Sequence, residues 1–157
     1  MTQDPTDKSV DRTASTLNQL IQTCIDGENG FRAAAESVED SNLRRLFESY
    51  VQQRVEFADE LQLEVRRLAE DPVDTGHAGA ALHRSWVDIK AGLTGRDEAA
   101  VIAECERGED LATNAYRKAL DSDLPSDIRM VVERQFLEIN EAHDHIRSLE
   151  RSHARHG

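Results

Sequence analysis

The chain has 157 residues, 31 of them acidic and 19 basic, for a formal charge of −12. That length suits one ordinary domain with a real core, and acidity with interspersed signs excludes a phosphate-binding or anionic-membrane surface. Only three prolines, eight glycines and few aromatics, beside abundant Ala, Leu, Glu and Arg, predict an all-α, soluble protein.

The N-terminus, "MTQDPTDKSVDR", is polar, and residues 1–12 are expected to be a disordered or extended tail. It lacks the apolar region of a signal peptide, and no run approaches the ~18 apolar residues of a membrane span, so the expected location is cytoplasmic. Residues 13–153 are expected to form one four-helix-bundle domain: a hairpin over about 13–70, a crossover at 71–96 and a second hairpin over about 97–153.

The division rests on an internal repeat. Shifting the chain by 81 places pairs Leu20–Glu70 with Val101–Arg151 over 51 gapless positions, of which 12 are identical. That is roughly four times the agreement of random pairing. The identities include Ile21/Ile102, Cys24/Cys105, Gly27/Gly108, Glu28/Glu109, Val51/Val132 and Arg66/Arg147. One helical hairpin is therefore used twice.

In the first unit, Leu17, Ile21, Cys24, Phe31, Ala35 and Val38 recur at helical spacing. "EDSN" at 39–42 breaks the pattern, with Ser41 or Asn42 as the expected cap of the next helix. Leu43, Phe47, Tyr50, Phe57, Leu61, Val65 and Leu68 then form a second stripe. In the connection, "EDPVDTGHAG" is a breaker cluster and "ALHRSWVDIKAGL" a short helix that Trp86 seals onto the bundle. The second unit runs from Val101 through Tyr116 to "DSDLPSD", where Pro125 suits a first helical turn, and on through Ile128 to Leu149. A long connection between two antiparallel hairpins predicts crossover topology.

"CIDGEN" and "CERGED" put a glycine and a glutamate in the middle of a helix twice. A mid-helix glycine costs about 1 kcal/mol relative to alanine, so Gly27 and Gly108 are read as points of close approach. Glu28 and Glu109 fall on the apolar stripes, where a carboxylate must find a partner or a proton.

The motifs "CIDGENGF", "QQRVEFADELQ", "LHRSWVDIK", "AECERGED" and "AHDHIRSL", spread over residues 15–150, resemble the ferritin-like superfamily. The chain is similar, more closely, to a bacterial four-helix-bundle family catalogued as a domain of unknown function. The resemblance implies the crossover bundle and no established activity. It also implies a test for a metal centre: di-iron members take one Glu from each of the first and third helices and Glu-x-x-His from the second and fourth.

Glu28 and Glu109 match the first half of that pattern, and the second half departs. Counting back from the breaks sets Arg54 level with Glu28 and Gln135 level with Glu109. A guanidinium supplies fixed positive charge and five donors where a metal would sit. The expected arrangement is thus a buried polar layer of Glu28, Arg54, Glu109 and Gln135, with no cofactor and no catalytic residue. The alternative is an off-centre carboxylate site for iron or another divalent metal, using Glu28, Glu56, Glu109, Glu138 and His143, with a ferroxidase-like role in iron or oxidant handling.

The remaining candidates have plain readings. His77 and His83 lie in or beside the connecting helix, where "LHRSW" could form a small recognition surface, and His145, His153 and His156 with Arg151 and Arg155 suit the C-terminal end of a helix dipole. Cys24 and Cys105 read as inert buried thiols. The expected function is a non-enzymatic assembly or interaction module, a homo-oligomer (a dimer in the simplest form), with no nucleic-acid or membrane partner.

Overall fold

A computed structural model describes residues 5–68 and 97–156. Among these, the chain is all-α: α1 is Pro5–Ser37, α2 Ser41–Arg67, α3 Glu98–Leu120 and α4 Ser126–His156. Within them no helix is long and apolar enough to cross a membrane. The short helix expected in the crossover, and with it His77, His83 and Trp86, falls outside the described residues.

Helix α1 begins at Pro5, eight residues earlier than the tail expected over residues 1–12 allows. The helix then passes through Gly27 and Gly30 without a break. Residue Asp40, rather than Ser41 or Asn42, caps α2: its Oδ1 accepts from the Asn42 N–H at 2.8 Å and the Leu43 N–H at 3.1 Å. In the longer break of the second hairpin, the Pro125 carbonyl accepts the Arg129 N–H at 2.8 Å. The Arg129 guanidinium reaches back to the carbonyls of Leu120 and Ser122, satisfying the open end of α3.

Contacts between the helices give their directions. Phe31 stacks on Phe47 and meets the Tyr50 ring at a tilt, making α1 and α2 an antiparallel hairpin. Arg147 meets Glu106 and His143 meets Asp110, making α3 and α4 another. The Asp40 N–H donates to Glu98 at 3.2 Å, so α3 starts at the end of the bundle where α2 starts. Helices α2 and α3 therefore run parallel, as a crossover requires. Helix α1 packs mainly on α2 and α3, α4 packs on α3, and α2 and α4 meet through side chains, as at Tyr50–His145 and Glu60–Arg134.

The interior is split into two apolar clusters. One holds Leu17, Ile21, Cys24, Leu61, Tyr116 and Val132; the other holds Phe31, Phe47, Tyr50, Ile102, Cys105 and Ile146. On every helix of the first three the gap between clusters falls at the residues that break the apolar stripe: Gly27 and Glu28, Arg54, Gly108 and Glu109. The mid-helix glycines and glutamates mark a boundary layer.

Candidate functional site

At that boundary Arg54 and Glu109 form a bidentate pair, Nη1 to Oε1 at 2.7 Å and Nη2 to Oε2 at 2.6 Å. Their side chains are 1% and 0% exposed. Two parallel N–H···O bonds are the strongest geometry open to these groups. Burial alone lowers the Arg54 pKa, but the opposing charge of Glu109 and its hydrogen bonds outweigh this and leave it raised. The guanidinium is therefore a permanent interior cation. Its Nε donates to Gln53 Oε1 at 3.1 Å, and its Cζ lies over the Phe31 ring, 5.3 Å from the centroid.

Room for this head group comes from Gly27. A Cβ there would lie 3.0 Å from Arg54 Nη1 and 3.4 Å from Cγ. The close approach expected at Gly27 is thus between a backbone and an arginine side chain, where two backbones could equally have met. Gly108 is buried on α3.

Glu28 is not part of the layer. It pairs instead with Arg32 one turn along α1, at 3.0 Å and with 22% of its side chain exposed. The expectation of two inward carboxylates is corrected here, and charge gives the reason. One guanidinium neutralises one carboxylate, and Gln135, which stands where the repeat would need a second cation, is neutral. A second interior carboxylate would be uncompensated, so Glu28 stays at the solvent edge.

Gln135 is buried, but it meets Tyr116 rather than Glu109. The Tyr116 hydroxyl donates to Gln135 Oε1 at 2.7 Å. With its one proton used there, that oxygen is left to accept from the Cys24 thiol at 3.1 Å. The Gln135 amide in turn donates to the Phe57 carbonyl at 3.3 Å and to Glu60 at 3.0 Å, and Glu60 also pairs with Arg134. A hydrogen-bonded line thus runs from a buried thiol to the α2–α4 edge. Desolvation lifts Cys24 to about 11, and it lifts Cys105 and Tyr116 well above their usual values. At neutral pH these groups are protonated and poor nucleophiles.

The alternative metal ligands are scattered. Glu109 is held by Arg54 and Glu28 by Arg32. Glu56 accepts from Gln52, and Glu138 pairs with Arg134. His143 contacts Asp110 at 2.8 Å and Arg147 at 3.3 Å. Each of these residues is thus engaged by another side chain, and the level between the two apolar clusters is held by the Arg54–Glu109 pair. His145 reaches Tyr50 across α2 and α4, Nδ1 to hydroxyl at 3.3 Å. The side chains of His153 and His156 lie outside the described set.

Sequence reasoning missed Tyr116 as a polar bridge, because its position on an apolar stripe reads as core. It also missed Glu106 and Asp110 beside His143. Their i, i+4 spacing was visible, but the register of α4 against α3 was not.

Comparison with known proteins gives a family and a fold. The model of the family described as a domain of unknown function, DUF2383, matches residues 12–122. No curated protein matches. A mutant of Dps1 from Mycobacterium smegmatis is similar in structure, with a TM-score of 0.78 and 19% identity over 92% of this chain and 98% of that one. A two-domain protein from Anabaena variabilis, containing DJ-1/ThiJ/PfpI-like and ferritin-like domains, is similar at a TM-score of 0.72 and 13% identity. The match covers 90% of this chain and 39% of that protein.

Proposed function

We propose that this chain, which belongs to the DUF2383 family and has the ferritin-like fold, is a non-enzymatic assembly or interaction module of the cytoplasm. The observation that carries this reading is the sealed Arg54–Glu109 pair, bidentate at 2.7 and 2.6 Å. It occupies the level where a carboxylate-bridged centre would need open ligands, and it supplies by side chain the charge a metal would supply. The interior then works as a register device: two apolar clusters are separated by one polar layer that tolerates a single helix alignment.

An interaction role needs an outer surface, and α4 offers one. Met130 and Leu137 are exposed one heptad apart, with Arg134 between them on the same face. Such a stripe supports self-association, with a homodimer as the simplest form.

Two measurements test the reading. Elemental analysis of protein purified without chelator, followed by Fe(II) and oxygen, is expected to give no stoichiometric iron and no acceleration of iron oxidation. Stoichiometric iron that disappears in Glu28→Ala/Glu109→Ala would overturn the closed-interior reading. Sedimentation velocity is expected to find a dimer that Met130→Lys/Leu137→Lys dissociates; a monomeric parent protein would overturn the self-association.

A further inference from the structure

On the outer seam between α3 and α4, Glu106, Asp110 and His143 bring one ligand atom each to within 4.8 Å of one another. We propose that these three side chains are a binding site for a divalent transition-metal ion of the zinc class. The proposal goes beyond the function proposed above and does not depend on it, because it uses none of the central layer.

The donor set fits that chemistry. One imidazole and two carboxylates match the ligand preferences of zinc, which takes nitrogen and oxygen at about 2.0–2.2 Å. The helix spacing fits as well: Glu106 and Asp110 are one turn apart on α3, and His143 comes across from α4, as in sites built between facing helices. Its Nε2 already points at an acid, 2.8 Å from Asp110 Oδ1. Closing the set around an ion needs only side-chain rotation, and Asp110, 55% exposed, is free to rotate. Three protein ligands leave a fourth position for water.

Arg147 is the group that decides whether the site is open. Its Nε lies 3.4 Å from Glu106 Oε1 and its Nη2 3.3 Å from His143 Nε2. It therefore plays here the part that Arg54 plays in the interior, a resident cation among acids. The two differ in burial: Arg54 is 1% exposed and trapped, whereas Arg147 is 44% exposed and can swing into water when an ion arrives. The set is also specific to the second half of the chain. The repeat places Ile25, Asn29 and Gln62 at the matching positions of the first unit, which cannot bind an ion this way.

The test is calorimetric titration of zinc chloride into chelator-stripped full-length protein, with circular dichroism to verify that each variant is folded. The expected result is one ion per chain, weakened about tenfold or more by His143→Gln and by Glu106→Gln/Asp110→Asn. Arg147→Gln should bind severalfold tighter than the parent, a gain that a purely structural salt bridge would not produce. His153→Ala/His156→Ala should leave binding unchanged. The proposal is overturned if neither the parent nor Arg147→Gln binds saturably, if His143→Gln binds as the parent does, or if the tail substitutions remove the signal.

Discussion

Gly27 and Arg54 are fitted to each other: a single added carbon on the glycine would come within 3.0 Å of the arginine Nη1. Alanine is favoured over glycine by about 1 kcal/mol in a helix interior, so an unconstrained site would gain from Gly27→Ala. Here the guanidinium is pinned by both oxygens of Glu109 and cannot give way. Gly27→Ala is expected to lower stability in the parent protein and to raise it when Arg54 is already Met. Urea denaturation of the four proteins in that cycle reads the change of sign directly.

Removing the cation alone should be severe. Arg54→Met strands the Glu109 carboxylate in an apolar interior, and the expected loss is about 3–5 kcal/mol at neutral pH. Arg54→Met/Glu109→Met should recover most of it, since replacing a whole buried pair by apolar side chains is often neutral or better. Equal stability of the single and double variants in urea melts would show that the pair is not the source of the loss.

The two repeat-related glutamates should behave very differently. Glu28 sits in an i, i+4 pair at the helix edge, so Glu28→Gln is expected to change stability by no more than about 0.5 kcal/mol. Glu109→Gln leaves the buried Arg54 without a counter-charge and should cost several times as much. Thermal melts of the two proteins side by side provide the comparison.

Tyr116 links α1 to α4 through its hydroxyl, accepting from Cys24 and donating to Gln135. Tyr116→Phe keeps the ring and deletes the bridge, leaving a buried amide oxygen unpaired, at an expected cost of about 1–3 kcal/mol. Gln135→Leu made in addition should cost less than the sum of the two, because the orphaned acceptor goes with it.

Alkaline pH should loosen the fold before the arginines titrate. Burial raises Cys24 from 9.0 to about 11 and Tyr50 from 10.0 to about 12. A group with a raised folded pKa contributes its stability below the unfolded value and loses it as pH climbs through the folded one. The melting temperature is therefore expected to hold up to about pH 9 and fall across pH 9–12, with Cys24→Ala flattening the first part of that fall. A melting temperature unchanged to pH 11 would contradict this linkage.

Much of the architecture was legible in the residues themselves. The repeat at 81 places, the helical spacing of the apolar positions and the breaks at 39–42 and 121–127 depend only on local chemistry and on the chain matching itself. They were enough to give the all-α bundle, its two hairpins and the level at which the polar residues fall. Arg54 could be singled out because a cation on an apolar stripe has few tolerable fates.

What lay beyond the sequence was decided by register and by charge summed across helices. The repeat predicts equal roles for Glu28 and Glu109, yet one interior cation can neutralise only one of them, and among the described residues the buried arginine lies on α2. The sliding of α4 against α3 likewise sent Gln135 to Tyr116 and gathered Glu106, Asp110 and His143 on the outer seam. Periodicity along one helix says which face is apolar. Which side chains meet across two helices follows only once their packing has set the offset between them.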